Sequence, residues 1–163
     1  MHIESIVPGD REALLEVALK TGLFTPSEAE SLLGGVLDGL SSSTLPSGHE
    51  AASCRVGRSN TPAGWCYYAP DDHAPAVWNL WWIGVSPEHH GTGAGKRLLE
   101  HVEQRVSAAA GRLLVIETSD SDALARAMRF YAANGYAECG RVPHFYAEGE
   151  SKVIFARRLQ IAV

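Results

Sequence analysis

The chain has 163 residues, 45% of them hydrophobic, enough for a single core, and it is read as one domain spanning residues 1–163. A formal net charge of −5, with no run of Lys or Arg longer than two, argues against a nucleic-acid surface. Cys54, Cys66 and Cys139 are odd in number and form no CxxC pair, which argues against a disulfide framework and against a cysteine zinc site. A reducing cytoplasm is the expected setting. A start lacking a basic region and a long apolar run predicts neither a leader nor a membrane anchor.

His2 to Val7 has β character, and Pro8-Gly9-Asp10 ends it, with Asp10 expected to cap a helix carrying Ala13, Leu14, Val17 and Ala18. Thr25-Pro26-Ser27-Glu28 has the form of a capping box with Pro at the first helical position, so a second helix is expected to run to about Gly39. Ser41 to His49, rich in Ser, Gly and Pro, reads as a loop. Glu50 to Val56, Gly64 to Ala69 and Ala76 to Val85 read as strands of an antiparallel meander, joined by turn residues at Gly57–Ala63 and Pro70–Pro75. Among Trp78, Trp81 and Trp82, core and strand packing is the expected role.

The stretch from Trp81 to Leu99, WWIGVSPEHHGTGAGKRLL, carries the most information: an apolar strand runs into a glycine-dense turn that opens a helix. Gly91, Gly93 and Gly95 leave the backbone clear of Cβ atoms, so successive N–H groups can share a concavity with the positive end of the following helix. This suits a pyrophosphate. It is not a nucleotide triphosphate loop, because His90 stands where the first Gly would be and Arg97 where Ser or Thr would bind magnesium. Nor is it GxGxxG, since the spacing here is GxGxG. Beyond it, Ala94, Leu98, Val102, Val106 and Ala109 recur at helical spacing up to a close at Gly111. Leu113-Leu114-Val115-Ile116 suits a central strand. Ser121 or Asp122 is expected to cap the next helix, with Leu124, Ala127, Met128 and Tyr131 in one stripe and Asn134-Gly135 at its end. Tyr136–Tyr146 and Lys152–Leu159 read as a final hairpin.

The run His90-Gly91-Thr92-Gly93-Ala94-Gly95 resembles the acyl-CoA pyrophosphate loop, R/Q-x-x-G-x-G/A, of the GNAT superfamily of N-acetyltransferases. Ile83-Gly84-Val85-Ser86-Pro87 resembles the strand end before that loop, and Phe130-Tyr131-Ala132-Ala133-Asn134-Gly135-Tyr136 the FYxxxGF signature after it. From about Asn79 to Leu159 the chain is also similar to a bacterial subgroup with an ETS strand end, here Glu117-Thr118-Ser119. The same subgroup has an FY..GD.K tail, here Phe145-Tyr146-Ala147-Glu148-Gly149-Glu150-Ser151-Lys152. His90 replaces the usual Arg or Gln, and Glu150 the usual Asp.

The resemblance implies an α/β (α+β) fold, with a mixed, mostly antiparallel sheet of about six or seven strands flanked by about four helices. It implies acetyl-CoA as acyl donor, held by Ile83, Gly84 and Val85 along the pantetheine arm and by His90, Gly91, Thr92, Gly93, Ala94, Gly95 and Lys96 at the pyrophosphate. It implies transfer to a primary amine by direct attack, a small-molecule acceptor being favoured over a protein N-terminus or lysine, or over a non-catalytic acyl-CoA module. In the family the two N-terminal helices border the acceptor pocket.

Tyr131 is the candidate general acid, since a phenol with an ordinary pKa near about 10 can donate to a departing thiolate. Glu117, at the end of a buried strand, is the candidate base, with a structural anchor as the even alternative. For Asp120 and Asp122 helix capping is the expected role, and for His144 that of a partly exposed structural residue. No metal is expected, because adjacent His89 and His90 cannot both easily face one ion. The cysteines are expected to be buried apolar residues, not acyl-enzyme nucleophiles. A homodimer is compatible with the resemblance, although no residue marks an interface.

Overall fold

The computed structural model describes residues 1–57 and 61–160. Seven strands, β1 (His2–Ser5), β2 (Glu50–Arg55), β3 (Pro62–Pro70), β4 (Val77–Val85), β5 (Leu113–Ser119), β6 (Ala137–Ala147) and β7 (Glu150–Arg158), follow the hydrogen-bonded order β1-β2-β3-β4-β5-β7-β6. β4 and β5 pair in parallel over Val77–Leu80, whereas β1 with β2, β2 with β3, β5 with β7 and β6 with β7 are antiparallel. The helices are α1 (Arg11–Lys20), α2 (Pro26–Ala29), α3 (Gly35–Ser41), α4 (Ala94–Ala108) and α5 (Ala125–Ala133), with a π turn at Glu30–Gly34 joining α2 to α3 without a break. This is the mixed, mostly antiparallel α/β arrangement that the sequence predicts. The chain divides into two compact units, Met1–Ala69 with Trp82–Val102 and Pro70–Trp81 with Glu103–Val163.

The core of the first unit grows from the apolar stripe of α1. Leu14, Leu15, Val17 and Ala18 pack with Leu33, Leu37, Trp65, Tyr67 and Trp82, and the Trp65 indole N–H donates to the Leu14 carbonyl at 2.9 Å, tying α1 to β3. Phe24 and Trp65 flank Trp82 with ring centroids 5.3 and 5.8 Å away. One glycine, Gly84, makes room for this aromatic group, and another, Gly64, for the β4 strand beside it. A Cβ on Gly84 would stand 2.2 Å from Trp82 Cζ2, and one on Gly64 would stand 2.6 Å from the Gly84 carbonyl oxygen. The second obstacle is backbone and cannot rotate away. Gly64→Ala is therefore expected to lower stability by about 1–3 kcal/mol, the range of an overpacked core site, with urea unfolding as the check.

The capping box at Thr25 forms as expected: Thr25 accepts from the Glu28 amide at 3.3 Å and Glu28 accepts from the Thr25 amide at 2.8 Å. Asp10 corrects the sequence reading. It makes no cap bond from its side chain; its carboxylate accepts from the Val7 amide at 3.0 Å and pairs with Arg55 at 2.6 Å, while Glu4 also takes the Arg55 guanidinium. The need to neutralise a buried guanidinium outweighs a side-chain cap. Of the turn expected at Gly57–Ala63, residues 58–60 lie outside the described residues.

In the second unit β5 pairs along its whole length with β7, and Leu114, Ile116, Val153 and Phe155 are buried. Tyr136 donates its hydroxyl to Glu103 at 2.9 Å, and Arg157 donates to the same carboxylate at 2.9 Å. Four details differ from expectation. The chain leaves α4 through Ala110, which takes left-handed backbone (φ 58°), and Gly111, read as the close of the helix, sits where a Cβ would stand 2.3 Å from Val106 Cγ1. Ser121 and Asp122 open a short 3-10 turn without a side-chain cap, and α5 begins one turn later. Asp120 accepts from the Ser151 amide at 2.7 Å and pairs with Arg141 at 2.9 Å, which fixes the β5 end to the hairpin and holds its carboxyl below the usual range. Cys139, on the edge strand β6, is exposed, whereas Cys54 and Cys66 are buried.

Candidate active site

In the first unit β4 runs past its parallel ladder, which ends at Leu80, and reaches Ile83, Gly84 and Val85. The Ser86 amide donates to the Ala63 carbonyl at 2.9 Å, anchoring the strand end before the turn. A 3-10 turn, Pro87–His89, leads into the glycines, and Lys20 of α1 reaches Glu88 in that turn at 3.1 Å. Gly91 and Gly93 both take left-handed backbone, φ 77° and 87°, with open space where a Cβ would lie. Such alternation turns successive amides toward one side. Helix α4 starts at Ala94, so the N–H groups of Ala94, Gly95 and Lys96 belong to a first turn that has no acceptors within the helix.

The structure thus brings Gly91, Thr92, Gly93, Ala94, Gly95 and Lys96 into one turn, exposed at Gly91, Thr92, Gly93 and Lys96 and buried at Ala94, with a helix N-terminus behind it, a cradle chemically suited to a pyrophosphate. The Lys96 ammonium is exposed and only 3.8 Å from Glu100. His90 also braces the turn, because its Nε2 lies 3.0 Å from the Val85 carbonyl and links the loop to the strand that carries Ile83 and Gly84. No sequence signal marks this tie, which depends on a turn that folds residue 90 back onto residue 85. The same unit has a shallow groove of about 560 Å³ between α1 and α2, whose Glu12 and Glu30 are held by Arg11 and whose Glu16 is held by Lys20.

In the second unit Tyr131 is buried on α5. Its ring lies edge-on to Phe130 and Tyr136, with centroids at 5.6 and 6.4 Å, and tilted against Phe155 at 5.8 Å. Burial pushes its phenol well above the usual tyrosine range, so the proton is held throughout neutral pH. That is the state a proton donor needs.

Glu117 pairs across β5–β7 with Ile154, whereas Phe155 pairs with Ile116. Because side chains alternate along a strand, Glu117 and the Tyr131–Phe155 contact are on opposite faces of this ladder. Lys152 Nζ lies 2.7 Å from Glu117 Oε2 and 4.6 Å from the centre of the Phe145 ring. Ser119 donates to Glu150, and Phe145 packs edge-on against Tyr146 at 4.9 Å. The two sequence motifs, Glu117-Thr118-Ser119 and Phe145 to Lys152, therefore converge in one cluster. Burial raises the Tyr146 phenol, Lys152 lowers it, and Glu117 and Glu150 raise it further. His144 is exposed, with φ 57°, and its Nδ1 accepts from the Gly149 amide at 3.0 Å, shaping the β6–β7 turn.

Trp81 is half exposed, unlike buried Trp78 and Trp82. Burial pushes the Cys66 thiol up to about 12 and raises Cys54 as well, so neither supplies a thiolate at neutral pH. Among the described residues no group of three or more His, Cys, Asp or Glu side chains is placed to hold a metal ion. No helix among them is long and apolar enough to cross a membrane.

A search of curated proteins by sequence finds no match. Among solved structures, a Desulfovibrio desulfuricans protein described as an acetyltransferase of the GNAT family superposes with a TM-score of 0.88 at 28% identity, over 98% of this chain and 99% of that one. The Escherichia coli ribosomal-protein-S18-alanine N-acetyltransferase gives 0.74 at 18% identity, over 99% and 96% of the two chains. An aminoglycoside 6'-N-acetyltransferase complexed with coenzyme A gives 0.75 at 16% identity, over 100% and 99%. These last two likenesses are of fold. The acetyltransferase (GNAT) family itself matches residues 37–136, which take in the glycine turn, β5 and α5. By that match and by the strand–turn–helix it contains, the chain belongs to the GNAT family of acetyltransferases and is an acyltransferase.

Proposed function

We propose that the chain transfers the acetyl group of acetyl-CoA to a primary amine on a small molecule, by direct attack within a ternary complex. The observation that carries the donor assignment is the left-handed pair Gly91 and Gly93 at the opening of α4. In this reading the amides from Gly91 to Lys96 take the pyrophosphate, His90 fixes the turn to the strand, and the backbone of Ile83, Gly84 and Val85 pairs with the pantetheine arm as an added strand would. When bound, acetyl-CoA supplies an activated acyl carbon. One of the β4 amides polarises the thioester carbonyl, Glu117 accepts a proton from the attacking amine, directly or through water, and Tyr131 donates its proton to the departing thiolate. One domain over residues 1–163, acting in a reducing cytoplasm, fits this reading.

The test is incubation with acetyl-CoA and a panel of free primary amines or intact proteins, followed by mass spectrometry. An N-acetylated small amine is the expected product. Acetylation confined to intact proteins would reassign the acceptor, and acetyl-CoA binding with no product over the whole panel would leave a binding module.

A further inference from the structure

The ammonium of Lys152 sits in surroundings of a particular kind. A carboxylate, Glu117, holds it at 2.7 Å, and an aromatic face, Phe145, lies 4.6 Å away. Carboxylate plus ring face is the combination that recognises an ammonium group from any source. The rings are also displayed at a cost. Val142 pairs with Lys152 and Ala147 with Glu150, so Pro143, His144, Phe145 and Tyr146 all bulge opposite the single residue Ser151. Within the bulge His144 takes left-handed backbone, and Phe145 and Tyr146 remain 53% and 49% exposed. Bulges that re-aim side chains in this way are over-represented at sheet edges, where β6 lies, and beside working sites, where strain at a residue other than Gly also gathers.

The charges do not balance. One lysine, Lys152, pairs with Glu117, while Glu150, two residues before it on β7, has among the described residues a hydroxyl partner, Ser119, and no cationic one. Glu150 and Lys152 are two apart on β7 and so project from the same face. The cluster has a place for a second cation.

We infer that this cluster is the subsite for the ammonium group of a cationic amine, and that Lys152 is a tethered stand-in which yields Glu117 to the incoming amine and moves to Glu150. The inference rests on the reading of Glu117 as base: the exchange puts the acceptor nitrogen, in place of the lysine nitrogen, against the carboxylate that takes its proton. Phe145, with Tyr146 packed edge-on against it, supplies the ring face that favours an alkylammonium over water.

The experiment is a calorimetric titration of the full chain with n-butylammonium chloride, alone and with acetyl-CoA. Lys152→Met removes the resident competitor, and butylammonium is expected to bind about three- to fivefold more tightly, the worth of one partly exposed ion pair. Lys152→Arg keeps the competitor and is expected to give no such gain. Glu117→Gln and Phe145→Ala should each weaken binding, with circular dichroism melts reporting whether each variant is folded. Unchanged or weaker binding by folded Lys152→Met, or butylammonium binding indifferent to Glu117→Gln, would overturn the inference. The acetyl-CoA titration separates the two readings: loss of donor binding strikes the proposed transferase function, while the butylammonium results stand or fall without it.

Discussion

Tyr131→Phe is expected to lower acetyl transfer by about 10²–10³-fold while leaving the affinity for acetyl-CoA within about twofold of the parent. The substitution removes one oxygen and keeps the ring that packs on Phe130, Tyr136 and Phe155. Stability is therefore expected to hold. The loss belongs in kcat, because a proton delivered to a departing thiolate is needed only as that charge forms. The pH profile separates the acid from a mere packing residue. Burial raises the Tyr131 phenol, so the protonated, active form persists throughout neutral pH and is lost only on the alkaline side, above the ordinary tyrosine range. An alkaline fall in kcat that disappears in the Phe variant assigns the titration to this group. A variant as fast as the parent would remove Tyr131 from the chemistry.

Gly93→Val is expected to weaken acetyl-CoA binding at least about tenfold. Gly93 sits at φ 87° with nothing within 4 Å of where a Cβ would stand, so the first side-chain carbon has open space. Two effects remain: the left-handed backbone that an L residue resists, at about 1–2 kcal/mol, and isopropyl bulk beside the amides meant for the pyrophosphate. Gly22→Val separates them. Gly22 has φ 75° and equally open surroundings, but it follows α1 rather than opening α4. Its replacement is expected to cost similar stability in urea and to leave donor affinity unchanged.

The contrast between these glycines shows what the sequence could and could not disclose. Spacing alone marked Gly91 and Gly93, because a phosphate turn demands local backbone freedom at fixed intervals; Gly95, marked by the same spacing, is helical in the first turn of α4. The capping box at Thr25 and the stripe of Leu14, Val17 and Ala18 were legible for the same reason, each being a pattern within one turn or two of helix. The roles of Asp10 and Asp120 were not. Both look like caps in sequence, and both are spent on partners far along the chain, Arg55 for one and Ser151 with Arg141 for the other. Glu117 was visible as a carboxylate at a strand end. Its lysine partner, on β7, follows only from the register that sets Ser119 opposite Lys152. Long-range pairing of charged groups has no local periodicity to betray it. The same holds for His90, whose contact with the Val85 carbonyl needs the fold of the turn to be known.

Whether the glycine turn holds the donor is tested most directly by an amide-resolved NMR titration of the ¹⁵N-labelled chain with acetyl-CoA. The amides of Gly91, Thr92, Gly93, Ala94, Gly95 and Lys96 are expected to shift together and to saturate at one donor per chain. Saturable binding that leaves these six amides unmoved would contradict the assignment of the turn to the pyrophosphate.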